Sequence, residues 1–194
     1  RAQLQQMMES VLGLVKRMAG TIAHLGIFSR ESAQETPEPF SMNDVVGAAL
    51  RMVETQLENH GIVLEVNLVD GMPEVEGYPT QLEQVVLNLI SNARDALDEA
   101  GEGGPERVKH LHIRTLCDAE GNAVVEVEDS GTGIDPAHQD QVLRPFFTTK
   151  EAGRGTGLGL SISYAIVRHH NGRMSFESEK GKGSTFRVVL PPEA

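Results

Sequence analysis

QVVLNLISNARD, residues 84–95, carries two patterns at once. At the 3.6-residue period of a helix, Val85, Val86, Leu87, Leu89, Ile90 and Ala93, continued by Ala96 and Leu97, sweep a broad apolar arc. Gln84, Asn88, Asn92 and Asp95 fall instead in one narrow stripe along its edge. Amide and carboxylate groups lined up beside a core-facing arc need partners. The plainer reading is a solvated face. The sharper one is a ligand-facing edge, with carboxamide oxygens presented to a hard cation such as magnesium. The rest of the chain has to decide between them.

Thr80, with Glu83 three residues later, is a capping signal for the start of this helix, and Gly101 ends it. Upstream, Ser41-Met42-Asn43-Asp44 caps another helix that runs to about Asn59, with Val45, Val46, Ala49, Leu50, Val53 and Leu57 inside and His60-Gly61 as its stop. Residues 62–69 alternate as a strand, and 70–77 form a turn-rich link. Downstream, the tract GEGGP (101–105) is a loop, and 108–116 and 123–128 alternate as two strands around a turn at 120–122. An irregular glycine-rich region reaches about Gly157. It gives way to a helix over 158–170, stopped by Asn171-Gly172, and to strands at 173–178 and 184–190. This order predicts an α+β fold, a two-layer α/β sandwich in which helices cover one face of a mixed sheet.

Residues 4–32 carry a longer stripe. Leu4, Met7, Val11, Leu14, Met18, Ile22, Leu25 and Phe28 recur at spacings of three and four, close to a heptad seam. A stripe of this length needs a partner helix, so residues 1–33 read as a coiled-coil or bundle arm. Residues 34–40, with Pro37 and Pro39, read as a linker to a domain over 41–194. His24 beside the seam reads as a surface or packing residue.

The chain has 194 residues, of which 39% are hydrophobic, enough for one large domain and an appendage. No apolar run approaches the roughly 18 residues of a membrane helix, and no signal peptide is visible. The opening at Arg1, without Met and inside a helical pattern, reads as a piece of a longer protein with any membrane segment upstream. Cys117 is the one cysteine, which excludes an internal disulfide and fits a reducing compartment. A net charge of −11 argues against nucleic acid and anionic membrane as partners. It does not argue against nucleotides, whose phosphates can be held by backbone amides and a metal. The scattered histidines give no zinc spacing, and there is no G-x-S-x-G nucleophile element.

Three motifs carry chemistry. In DSGTGI (129–134) an acid leaves a strand and two glycines bend the backbone around it. Such a carboxylate can accept the exocyclic N–H of an adenine; alone, a plain Asp-Gly turn is the simpler reading. In GRGTGLGL (153–160) four alternating glycines run into an apolar helix, where amides can approach phosphate oxygens and the helix N-terminus favours negative charge. The spacing is neither the dinucleotide fingerprint nor a P-loop. In PFFTTK (145–150) Phe146 and Phe147 can anchor one end of a mobile segment while Lys150 reaches a phosphate. The composition between Phe147 and Gly155 suits a lid that orders on ligand. Arg94 lies at a helical angle far from the Asn88–Asn92 stripe and reads as a surface charge.

EQVVLNLISNARDAL, DSGTGI, PFFTTK, GRGTGLGLSI and GKGSTF occur in that order within residues 41–191. In this the chain resembles the ATP-binding catalytic domain of bacterial sensor histidine kinases, of Bergerat-type fold. The wider superfamily includes DNA gyrase, a heat-shock chaperone and a mismatch-repair ATPase. Within that family it resembles nitrogen-regulatory or dicarboxylate-sensor kinases, and its RMAGTIAHLGIFSR stretch resembles the second helix of a dimerisation and phosphotransfer hairpin.

The resemblance implies ATP and Mg²⁺ as ligands. Asn92 would coordinate the metal, with Asn88 supporting it and Asp95 near a metal-bound water, where some sensor kinases carry a basic residue. Asp129 would bind the adenine amino group, with Gly131, Gly133 and Ile134 shaping the pocket and Thr185 lining its adenine side. Lys150 and the amides near Gly155, Gly157 and Gly159 would hold the phosphate tail, with Phe147, Thr149, Thr156 and Leu158 also at the nucleotide. Asn88 and Lys150 would serve the transfer itself.

One departure stands out: the family's phosphoacceptor box, H-E-x-x-x-P, fits none of His24, His60, His110, His112, His138, His169 and His170. The resemblance therefore implies a chain that passes the γ-phosphoryl group to a histidine on a helix outside it, for relay to the Asp of a response-regulator receiver domain. It also implies a homodimer formed through the N-terminal helix, within the cytoplasmic part of a membrane-anchored sensor. Two other readings compete. A superfamily ATPase that hydrolyses ATP to drive conformational change carries Glu at the Asn88 position, and Asn cannot act as a general base. A non-catalytic nucleotide sensor would have a degraded glycine or Asp motif, and none is degraded.

Overall fold

The computed structural model describes residues 36–101, 108–150 and 155–193. The arm expected over 4–32, and residues 151–154 of the expected lid, lie outside them. In chain order the elements are β1 (Glu38–Ser41), α1 (Met42–Asn59), β2 (Ile62–Asn67), β3 (Glu74–Gly77), α2 (Pro79–Gly101), β4 (Lys109–Cys117) and β5 (Ala123–Asp129). They are followed by α3 (Pro136–Gln139), α4 (Gly159–His169), β6 (Arg173–Glu179) and β7 (Gly183–Leu190).

Period-2 alternation builds the main sheet, ordered β2-β4-β5-β7-β6. Leu111, Ile113, Val125, Val127, Phe186 and Val188 point to one face and are buried. That face receives α1, α2 and α4, whose apolar arcs join it in one core. Within α2, Val85, Val86, Leu89, Ile90, Ala93 and Leu97 are at most 4% exposed, so the arc read from the sequence is the packed face. β2 and β4 pair in parallel, and the other neighbours are antiparallel. A parallel pair needs a crossover, and α2 supplies it, which pins the polar edge of α2 against the ends of β5 and β7.

The opposite face is polar. There Glu126 is 1% exposed because Arg114 and Arg187 close over it from the flanking strands. Burial alone would raise its pKa, but hydrogen bonds from both guanidiniums hold it below the usual carboxylate range.

The structure departs from the sequence reading in three places. Residues expected to be a connector and a turn-rich link instead form a two-stranded antiparallel sheet of β1 and β3, with Phe40 opposite Val75 and both buried. The strands are four residues each and one contains Pro39, which is tolerated on an edge but hides the signal. The second departure is at the start of α2, which begins at Pro79 rather than at a Thr80 cap. The Tyr78 carbonyl accepts from the N–H groups of Gln81 and Leu82, and proline at the first helical position leaves no amide unpaired. Third, the glycine-rich region contains one helical turn, α3, capped by Asp135, whose carboxylate accepts from the Ala137 N–H at 2.9 Å.

A buried histidine ties the ends of α2 and α4 together. His170, 5% exposed, donates from Nδ1 to the Ile166 carbonyl at 2.8 Å and accepts at Nε2 from the Tyr78 N–H at 3.0 Å. Burial pushes its pKa down, so both roles belong to the neutral ring. The contact needs Gly77: a Cβ there would stand 2.2 Å from the His170 ring.

Candidate active site

A cavity of about 620 Å³ opens between the polar edge of α2, the ends of β5 and β7, and the segments around 132–135, 147–150 and 155–160. Its volume is in the range of small-molecule and cofactor sites.

Asp129 ends β5 beside Ser184 of β7 and lines the cavity, only 6% exposed. Its Oδ1 accepts from the Gly131 N–H at 2.8 Å. Desolvation dominates its electrostatics. Hydrogen bonds from the Gly131 and Ser184 amides offset it in part, Glu128 adds repulsion, and the pKa is pushed up to about 6. No cation is paired with Asp129 among the described residues. A buried carboxylate facing a cavity in this state wants a neutral N–H donor. The bend that aims it requires glycine: a Cβ on Gly131 would stand 2.7 Å from both Asp129 Oδ1 and the Ala96 backbone, and Gly133, at φ +63°, would meet the Glu179 carbonyl at 2.1 Å.

Along α2, Asn88, Asn92 and Asp95 line the cavity, whereas Gln84, the first member of the stripe, does not. Asn88 donates from Nδ2 to Ser163 Oγ at 2.9 Å, and Ser163 is buried on α4. This bond fixes which way the carboxamide points. Gly159 packs against the same amide so closely that a Cβ would stand 2.2 Å from Asn88 Oδ1. Asn92 makes no side-chain hydrogen bond to a described residue, which leaves its carboxamide open to a ligand.

Asp95 is held differently. Its Oδ1 accepts from Arg94 at 2.8 Å and its Oδ2 from Lys150 Nζ at 2.5 Å. Burial alone would raise its pKa, but the bonds from Lys150 and Arg94 keep it below the ordinary carboxylate value. Arg94 is therefore not the free surface charge expected: it folds back on Asp95 and Ser91 and reaches Gln56 of α1.

Phe147, Thr148, Thr149, Lys150, Gly155, Thr156, Gly157 and Gly159 close the other wall. Ile134 is anchored by its N–H to Ser178 Oγ at 2.8 Å, and Leu158 is buried at the entry to α4. Gly157, at φ +65°, passes so near the Phe146 carbonyl group that a Cβ would stand 2.4 Å from its carbon. The two aromatics do not act as a pair. Phe147 faces the cavity beside His138, with ring centroids 5.5 Å apart, whereas Phe146 is 71% exposed at φ +67°.

Of the expected site residues, Gly131, Leu158 and Thr185 do not line the cavity, and Thr185 is turned away from it. It pairs with Glu128 on the outer face, and period-2 alternation puts its neighbours Ser184 and Phe186 at the cavity instead. Four further residues went unread in the sequence. Ser184 could have been found by counting that alternation back from buried Phe186. Ser163 sits one turn into a largely apolar helix, on the face that carries buried Ile166 and Val167, where a hydroxyl needs a partner. His138 and Lys180 line the cavity by tertiary approach alone.

No group of three or more His, Cys, Asp or Glu among the described residues could hold a metal by itself. The donors present, two carboxamides on one edge, suit a hard ion that keeps water and phosphate ligands, as magnesium does.

Residues 77–194 match the family described as "Histidine kinase-, DNA gyrase B-, and HSP90-like ATPase". The chain belongs to this ATPase family. Within it, the sensor kinase CckA of Brucella abortus (strain 2308) is 40% identical over 183 residues, covering 90% of this chain and 19% of CckA. The two-component sensor PprA of Pseudomonas aeruginosa is 37% identical over 188 residues, covering 97% of this chain and 20% of PprA. The chain thus spans about a fifth of the length of either. Among solved structures, the catalytic domain of histidine kinase ThkA superposes with a TM-score of 0.68 at 26% identity, over 81% of this chain and 96% of that one. Full-length ShkA matches with a TM-score of 0.73 at 19% identity, covering 98% of this chain and 38% of that one. The two-layer sandwich expected from the sequence is the fold of these histidine kinase ATPase domains, and no helix among the described residues is long and apolar enough to cross a membrane.

Proposed function

We propose that this histidine kinase ATPase-family domain binds Mg-ATP in the α2–α4 cavity and presents the γ-phosphoryl group to a histidine on a helix outside the described residues. Asp129 carries the reading: a deeply buried carboxylate with no paired cation, aimed into a cavity, accepts the amino group of adenine. Solved ShkA, which has this fold, is in complex with AMPPNP. Gly131, Gly133 and Ile134 shape the base end together with Ser184. The Gly155–Gly159 turn offers amides at a helix N-terminus to the phosphates, with Phe147, Thr149, Thr156 and Leu158 around it.

Asn92 and Asn88 are the residues that would hold Mg²⁺, with Asp95 in the outer shell. Bound there, the ion would neutralise charge on the transferring phosphoryl group. Ser163 keeps Asn88 from swinging, and Lys150 supplies a point charge to the phosphate tail. Transfer needs positioning and charge rather than covalent chemistry from the protein. Asn88, an amide, takes no proton from water, which favours holding ATP for transfer over hydrolysing it.

For the longer protein we propose residues 1–33 as one helix of a dimerisation and phosphotransfer hairpin, joined by a short linker to a catalytic domain that takes in β1 and runs to residue 194. We further propose a receiver-domain aspartate as the phosphoryl destination, and a cytoplasmic position within a membrane-anchored sensor. The test is nucleotide titration with and without Mg²⁺ on the parent chain and on Asp129→Asn. The reading expects Mg-dependent ATP binding, weakened by at least roughly tenfold in the variant, since a lost charged hydrogen bond costs about 1.5–3 kcal/mol. Unchanged affinity would remove the adenine assignment.

A further inference from the structure

Asn88, Asn92 and Asp95 occupy successive turns of one edge of α2 and line the cavity, but of the three only Asp95 is bonded to two cations. Those cations are not equivalent. Arg94 is its chain neighbour, on the same helix, and is further held by Ser91 and Gln56. Lys150 comes from the opposite wall, in the segment that carries Thr148 and Thr149. Lys150 ends a long side chain that is 33% exposed and comes from outside α2, so its Nζ can swing off Asp95 while Arg94 stays bonded to the same carboxylate.

We propose that Asp95 is an exchangeable counter-ion that makes phosphate-tail binding depend on the divalent cation. Without nucleotide it accepts from Lys150. When a triphosphate enters, Lys150 moves to the phosphates and Asp95 faces them. A metal-free tail meets that carboxylate as like charge at short range. A tail carrying a divalent ion presents metal-bound water, which donates to the same oxygen that Lys150 vacates. Asp95 thus penalises metal-free nucleotide while costing little for the metal complex. This inference rests on the proposed nucleotide site and adds to it the group that enforces the metal requirement.

The test measures the affinity of the chain for a fluorescent ATP analogue in excess Mg²⁺ and in excess chelator, for the parent, Asp95→Asn and Asp95→Glu. In Asp95→Asn, metal-free affinity should rise and the ratio of the two affinities should fall, by on the order of tenfold. Asp95→Glu should restore most of the ratio, a rescue that a purely structural role for Asp95 would not require. Asp95→Ser, also neutral, provides a second variant should Asp95→Asn fail to fold, and should behave as Asp95→Asn does. A neutral variant that keeps the parent ratio would overturn the inference and leave the nucleotide site standing. Absence of Mg-dependent binding in the parent would overturn both.

Discussion

Gly159→Ala puts a single methyl group where two helices meet the site. The added Cβ would lie 2.2 Å from Asn88 Oδ1, 2.9 Å from its Cγ and 3.0 Å from Nδ2. Backbone conformation is not at issue, because Gly159 lies at the start of α4 outside the left-handed region, and helix propensity favours Ala by up to about 1 kcal/mol. The collision decides the sign. The amide can yield only by rotating off Ser163, which gives up a hydrogen bond of about 1 kcal/mol beside a buried hydroxyl, or by forcing α4 away from α2. Overpacking of this kind costs about 1–3 kcal/mol, and each kcal/mol lowers Tm by about 2–4 °C for a chain of this size. Gly47→Ala is the matched control. It also lies in a helix, α1, but its Cβ would find nothing nearer than Arg51 Nη1 at 3.5 Å. Urea unfolding should therefore show opposite signs: Gly47→Ala stabilised by about 0.5–1 kcal/mol, Gly159→Ala destabilised by about 1–2 kcal/mol. Mg-ATP affinity should fall in the second alone. A Gly159→Ala protein as stable as its parent, with nucleotide affinity intact, would refute the packing of Gly159 on Asn88 and the placement of that amide.

Asp129 should cost the nucleotide-free protein stability. A pKa moved from 3.8 to about 6 means that the folded state binds a proton more readily. The contribution is most favourable below pH 4 and is lost as pH rises through 6, reaching about 3 kcal/mol at about 1.4 kcal/mol per pH unit. Asp129→Asn should accordingly raise unfolding free energy at pH 7.5, by about 1–3 kcal/mol, with the advantage vanishing towards pH 4; chemical denaturation across that range checks it. Glu126 should behave in the opposite sense, its stabilisation present at neutral pH and lost in acid as its lowered pKa is reached. Glu126→Ala leaves Arg114 and Arg187 facing one another on the outer face, and should cost about 1–3 kcal/mol, less than a fully buried pair because both arginines are partly exposed. Its nucleotide affinity, measured by the same titration, should be unchanged.

The main sheet and its three long helices were legible because their periods are strong and their ends carry Ser41, Gly61, Asn171 and Gly172 as punctuation. The β1–β3 ribbon was not, since four residues interrupted by Pro39 carry too short an alternation. Around the cavity, residues presented by a regular element could be placed: helical spacing put Asn88 and Asn92 on one edge, and the strand end put Asp129 before two glycines, although only the family resemblance gave them a ligand. Residues that depend on a second element could not. Helical angle placed Arg94 away from Asn88 and Asn92 correctly, but said nothing of its fold-back onto Asp95. Thr185 was misplaced by one position because motif resemblance overrode the two-residue period of β7. The Lys150–Asp95 pair joins positions 55 apart in the chain, and only the closed cavity brings them together.

The central claim, that the carboxylate at the cavity's deep end reads the amino group of adenine, is tested most directly without any mutation. Inosine triphosphate has a carbonyl oxygen where adenine carries its amino group, and an N1–H where adenine has an acceptor nitrogen. The account predicts that the parent chain, titrated in Mg²⁺ at pH 7.5, binds inosine triphosphate at least roughly a hundredfold more weakly than ATP, because Asp129 would face a carbonyl acceptor at the position where adenine offers its donor. Equal affinities for the two nucleotides would contradict it.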